Sequence, residues 1–166
     1  MKTYSGLLNS NNMPTNGVFV FGSNTICLNG NPIRKTGGAA LVAHIEFGVG
    51  QRECMNNCLS KNGKAYGLVT VKAPKKYISS EEIKNNIIKL YDFARQNVDK
   101  LFYIAYSGEN PDFVSLNGKS IRTMANLFYQ AGMSGGVILR IPENIVFEEN
   151  FYKLVIPCDL EKGFVI

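Results

Sequence analysis

The sequence predicts an α/β fold, with a mixed sheet flanked by helices in a three-layer sandwich. Three observations predict it. Apolar runs of strand length alternate along the chain with segments of helical periodicity. Two of those runs exit through a glycine–serine pair into a polar loop that leads to a helix start. No internal repeat or low-complexity tract interrupts the alternation.

Each element has its own justification. Val18-Phe19-Val20-Phe21 has the β-branched and aromatic content of a buried central strand, and Gly22-Ser23-Asn24 stands at its exit. Gly37-Gly38 opens an apolar helix that runs through His44, with Thr36 placed to cap it. Gln51 to Gly63 reads as irregular, or as a short helix around Cys54-Met55, and Lys64 to Val71 as a second strand. Ser79 and Glu82 have capping-box spacing, and Ile83, Ile87, Leu90, Tyr91 and Ala94 then mark one face of a helix. Leu101 to Tyr106 is a buried strand. Ile121, Met124, Ala125 and Phe128 repeat at helical spacing up to Gly132, Ile145 to Glu148 forms a last strand, and Asn150 to Val155 a short helix.

Length and charge bound what this architecture can do. The 166 residues, 45% hydrophobic and 19% charged, suffice for one domain with a sizeable core but not for two. Lys and Arg total 18 against 13 Asp and Glu, an excess of five positive charges. That excess suits a phosphate-bearing ligand. It is too small, its lysines too scattered, and no strand interleaves basic with aromatic residues, so nucleic-acid binding is not implied. Met1 to Gly17 contain no apolar stretch flanked by basic residues, and no run is long enough to span a bilayer, so a cytosolic protein with no membrane partner is expected. Cys27, Cys54, Cys58 and Cys158 are then reduced thiols. Cys54 and Cys58 lack a second ligand pair, so no metal is expected.

Two strand exits carry the candidate chemistry. At the first, Gly22 admits close backbone approach, and Ser23 and Asn24 offer donors and acceptors without a charge to desolvate. The first-turn amides near Gly37, Gly38 and Ala39 suit phosphate oxygens, with Arg34 and Lys35 adding positive charge. Phe47 offers a ring on which a base could stack. The second exit runs Ser107-Gly108-Glu109 and closes on Asn117-Gly118-Lys119-Ser120. Either Asn117 or Gly118 can take left-handed backbone angles and turn amides toward an anion, beside the charge of Lys119. It is not a Walker A loop, because Phe113 stands where the first glycine would be required. The two loops form one cradle only if their strands are neighbours.

Phe21-Gly22-Ser23-Asn24 followed by Gly37-Gly38-Ala39-Ala40-Leu41-Val42-Ala43-His44 resembles the first ligand loop of macro domains, the ADP-ribose-binding fold. There an Asn-x-Ala-Asn strand end precedes a Gly-Gly-Val-Ala-x-Ala-Ile-His segment. The likeness is closer to small macro-like proteins of phages and bacteria that carry Phe-x-Phe-Gly-Ser-Asn and a C-terminal pattern similar to Pro142-Glu143-Asn144-Ile145-Val146-Phe147. It spans about residues 17 to 152. The chain departs from the macro pattern at Phe21, where the first Asn would stand, and lacks the N-terminal Gly-Asp-Ile that carries the adenine-recognising Asp.

The resemblance implies a single macro-like domain over 1–166 with its core at about 17–155, and a small-molecule nucleotide of ADP-ribose type as partner. The second exit would then wrap the distal ribose and diphosphate. Two functions follow. One is sequestration of an NAD-derived or cyclic nucleotide without chemistry and without a cofactor, in a phage setting an anti-defence sponge acting in the host cytosol. The other is a hydrolase of ADP-ribose derivatives or ADP-ribosylated acceptors, in which Glu109, Asp112 or His44 would have to move protons. No catalytic residue is assigned. His44 reads as a packing or surface residue, and Lys72, Lys75 and Lys76, beyond the second strand, as charges that either meet phosphate or, in the favoured reading, keep an edge soluble.

Overall fold

The computed structural model describes residues 2–25, 35 and 37–156. Along the chain lie β1 (Thr3–Tyr4), β2 (Gly17–Asn24), α1 (Gly38–Phe47), β3 (Cys58–Leu59), β4 (Ala65–Ala73) and β5 (Lys76–Tyr77). α2 (Ser80–Gln96), β6 (Leu101–Ile104), α3 (Ile121–Gly132), β7 (Ile145–Glu148) and α4 (Glu149–Val155) follow. The sheet order is β1-β7-β6-β2-β4-β3, with β5 also on β4. All pairings from β1 through β4 are parallel, while β3 and β5 run antiparallel to β4. The sheet is therefore mixed, as the alternation of elements predicts.

Period-2 alternation along β2 creates the layers. Val18 and Val20 point into a core built with Tyr66, Leu68, Phe102, Ile104, Ile145 and the inward faces of α2, α3 and α4. Phe19 and Phe21 point the other way, against Ala43 and Phe47 of α1 and against Met55. Helices thus cover both faces. Each of these large side chains contributes on the order of 1.5–3 kcal/mol by leaving water.

The helix signals resolve as local chemistry. Ser79 accepts from the Glu82 amide at 3.1 Å and starts α2, and Ser120 does the same for Thr123 at the start of α3. Tyr91 ties the two helices by donating to the Phe128 carbonyl at 2.8 Å. Burial raises the Tyr91 hydroxyl well above the ordinary tyrosine range.

Three details differ from the sequence reading. The stretch around Cys54-Met55 holds no helix; instead the chain turns and adds β3 to the edge of β4. The second strand runs on to Ala73 and folds back through Pro74-Lys75 as β5. β6 stops at Ile104, earlier than Tyr106, because the chain turns there to bury the Tyr106 ring against Phe128 and Phe151. Among the described residues no helix is long and apolar enough to cross a membrane.

Candidate functional site

Because β2, β4 and β6 are parallel neighbours, their carboxyl ends leave the sheet at one edge. Val20 is level with Ile104 on one side and Tyr66 on the other, so the Gly22–Asn24 exit lies between the turn after β6 and the end of β4. Open α/β sheets bind ligands at such an edge. The two predicted loops therefore converge.

A polar junction forms the floor. A Cβ on Gly22 would lie 3.0 Å from Thr70 Oγ1 and 3.1 Å from the Tyr106 hydroxyl, so the backbone here approaches two hydroxyls, one from β4 and one from the segment after β6. Tyr106 shares hydrogen bonds with Thr70 and Asn117, linking β4 to the second loop. Burial pushes its hydroxyl up to about 12, against a smaller opposing pull from those two bonds.

The second loop is internally braced. Asn117 is 3% exposed. Its Oδ1 accepts from Ser115 Oγ at 2.6 Å and from the Lys119 amide at 2.9 Å, and Nδ2 lies 3.3 Å from Met124 Sδ. Val114 and Ser120 close the loop as an antiparallel bridge. Gly118, at φ 79°, makes the left-handed turn and places its backbone against Tyr77 of β5. The loop thus reaches from β6 across β2 to the hairpin after β4.

The first helix completes the rim. Gly37 precedes α1 in extended backbone without a side-chain cap, and Gly38 follows at φ 59°. A Cβ on Gly38 would stand 4.0 Å from Leu116 Cδ1, so the start of α1 faces the second loop. Leu116 is 82% exposed. Thr36 and Arg34, read as cap and cation, lie outside the described residues, as do Cys27 and Cys158.

The candidate residues divide into two sets. Gly22, Ser23, Asn24, Gly37, Gly38, Asn117, Gly118 and Lys119 gather around this edge. Ser23 Oγ also donates to the Met55 carbonyl at 2.9 Å, which fixes its rotamer and leaves its lone pairs to accept. Ala39, in the first turn of α1, packs partly against the Phe19 layer. Ser107 and Glu109 are exposed at the start of the second loop, where Ser107 Oγ accepts from the Glu109 amide at 3.3 Å.

Other residues have different duties. Phe47, read as a stacking face, is 4% exposed and stacks on Phe19 at 4.7 Å, so the core takes its ring. The Gly108 amide, at the second candidate exit, is not free for a ligand: it donates to Glu148 Oε1 at 2.7 Å, and a Cβ there would meet Asn150 and Phe151 backbone at about 2.4 Å. Lys35 is buried, its Nζ donating to the Glu53 carbonyl at 2.7 Å and to that of Gln51 at 3.4 Å. It braces the loop before β3. His44 Nδ1 bonds the Val49 carbonyl at 2.7 Å near the far end of α1, in keeping with a packing role.

Sequence reading missed four contributors. Thr70 and Tyr106 look like ordinary strand residues, and only pairing reveals that they share a neighbour in Gly22. Tyr77 needed the Pro74-Lys75 turn to be seen as a hairpin. Glu148, 3% exposed, accepts from the amides of Gly108, Asn150 and Phe151 and from Asn150 Nδ2, tying the second exit to α4. An acid just before Glu149-Asn150 was the available signal for that cap. Among the described residues no group of three His, Cys, Asp or Glu could hold a metal, and the Cys54 and Cys58 thiols are exposed. Compared with known proteins, the chain matches no family model, no curated protein and no solved structure.

Proposed function

We propose that the protein binds and sequesters a nucleotide of ADP-ribose type at the sheet edge where β2 and β6 exit. The observation that carries this reading is the adjacency of two strand-exit loops at one sheet edge, closed over by the start of α1 and by Gly118 on Tyr77. Gly22 and Gly118 let the two exits pack against Thr70, Tyr106 and Tyr77, and Gly38 leaves the start of α1 open toward a sugar–diphosphate backbone. Ser23 and Asn24 offer the uncharged donors and acceptors that ribose hydroxyls need. The resemblance of Phe21–Asn24 and Gly37–His44 to the macro ligand loop points to the same ligand class.

A braced site favours holding over turnover. Asn117 and Ser115 fix the second loop before any ligand arrives, so little ordering entropy is lost on binding. The hydrolase alternative needs Glu109, Asp112 or His44 to move protons. His44 is six residues along α1 from Gly38, about 9 Å at the helical rise, and Asp112 points at Arg122 Nε, 3.7 Å away. In a cytosol, and in that of the infected host if phage-encoded, a sequestering protein of this kind would remove an NAD-derived or cyclic nucleotide signal.

Incubating the pure protein with ADP-ribose, with a phosphorylated ADP-ribose and with an ADP-ribosylated peptide, then denaturing it and analysing the released nucleotide, decides between the two readings. Intact nucleotide recovered after saturable binding supports sequestration. Release of ADP-ribose from the peptide, or of phosphate from the phosphorylated derivative, supports the hydrolase, and absence of any binding by these nucleotides or a panel of cyclic nucleotides overturns both.

A further inference from the structure

We infer that the ligand carries phosphate in a second place, beyond its diphosphate, and that the β4–β5 hairpin is the wall that receives it. This rests on the binding reading above. β4 is the third parallel strand ending at the same edge, and Lys72, Lys75 and Lys76 follow its carboxyl end. The hairpin borders both loops. The Lys72 carbonyl accepts from the Thr25 amide at 3.2 Å, one residue beyond Asn24, and Tyr77 supports Gly118 of the second loop.

The three lysines are exposed and unneutralised. Among the described residues the ion pairs are Lys84–Glu81, Arg95–Asp92 and Arg122–Asp112, and none involves the hairpin. Guarding a sheet edge does not account for all three, since Lys72 sits on β4 with β2 on one side and β5 on the other. Lys75 holds φ 62° at the hairpin tip, where glycine or asparagine turns without strain. A lysine in that conformation, between two further lysines and beside the edge where the two exits meet, suits a phosphate as a point-charge donor.

The test compares three probes by isothermal titration: ADP-ribose, its adenosine 2′-phosphate derivative, and adenosine 5′-tetraphosphate. At least one extended probe is expected to bind about tenfold tighter than ADP-ribose and to weaken more steeply with salt. In the triple variant K72Q/K75Q/K76Q that advantage should vanish while ADP-ribose affinity stays within about threefold. Circular dichroism confirms that the variant is folded. No advantage in the wild type, or an advantage that survives in the triple variant, overturns the hairpin assignment and leaves ADP-ribose binding standing. If only the tetraphosphate binds, and the triple variant loses it, the hairpin assignment stands and the ADP-ribose reading falls. Binding of none of the three overturns both.

Discussion

The backbone of Gly118 rests on the ring of Tyr77, so closely that a Cβ at position 118 would lie 2.8–3.0 Å from three ring atoms. This contact joins a loop that follows β6 to a hairpin that follows β4, over the end of the strand between them.

Gly118→Ala should therefore lower stability by roughly 1–3 kcal/mol, from the left-handed backbone angle and from the overlap with the ring. Only the second part depends on Tyr77. In a Tyr77→Ala background the same substitution should cost about 1 kcal/mol, and a double-mutant cycle by urea denaturation measures the difference. Equal costs in both backgrounds would mean that the contact contributes nothing.

Glu148→Ala should destabilise by roughly 2–4 kcal/mol, since it strips the acceptor from three backbone amides and leaves those of Gly108 and Phe151 in a buried setting. Glu148→Gln keeps one carbonyl oxygen and should cost about half as much. Amide hydrogen exchange at Gly108 and Phe151 should speed up in both variants before other amides change.

Asn24→Ala and Gly38→Leu should each reduce or abolish the thermal shift produced by ADP-ribose while the far-ultraviolet circular dichroism stays that of the wild type. The leucine would also add about 1 kcal/mol of backbone strain at φ 59°, so the unliganded midpoint should fall by a few degrees. An undiminished ligand shift in both variants would remove the β2 exit from the binding site.

Alkaline titration should unfold the protein earlier than a chain with exposed tyrosines. Tyr106 ionises at about 12 when folded and near 10 when unfolded, so its contribution is complete below pH 10 and declines as pH rises toward 12. The slope is roughly 1.4 kcal/mol per pH unit for each such group. Tyr4, Tyr66 and Tyr91, all raised by burial, add to it in the same direction. Tyr106→Phe should be about 1 kcal/mol less stable at neutral pH, having lost its bonds to Thr70 and Asn117, yet show a shallower alkaline decline.

Much of this fold could be read from local signals, because the relevant forces act within a few residues. Ser79 caps the helix that its spacing with Glu82 announces, and the strand at Ile145–Glu148 has the bounds that its apolar run suggests. The alternation Val18-Phe19-Val20-Phe21 becomes two separate cores. What was hidden depended on partners distant in sequence. A phenylalanine ending a helix suits a base or a core equally, and the position of Phe19 decided for the core at Phe47. Likewise the amide of Gly108 was claimed by Glu148, forty residues further on.

That claim bears on when the protein becomes competent. The second exit loop is held by a carboxylate at residue 148, and the neighbouring strand β7 separates β6 from β1. A nascent polypeptide made only as far as α3 has both glycine-bearing exits translated but lacks the clasp for one of them. The second exit therefore takes its native form only after β7 has been made, however early the first exit folds.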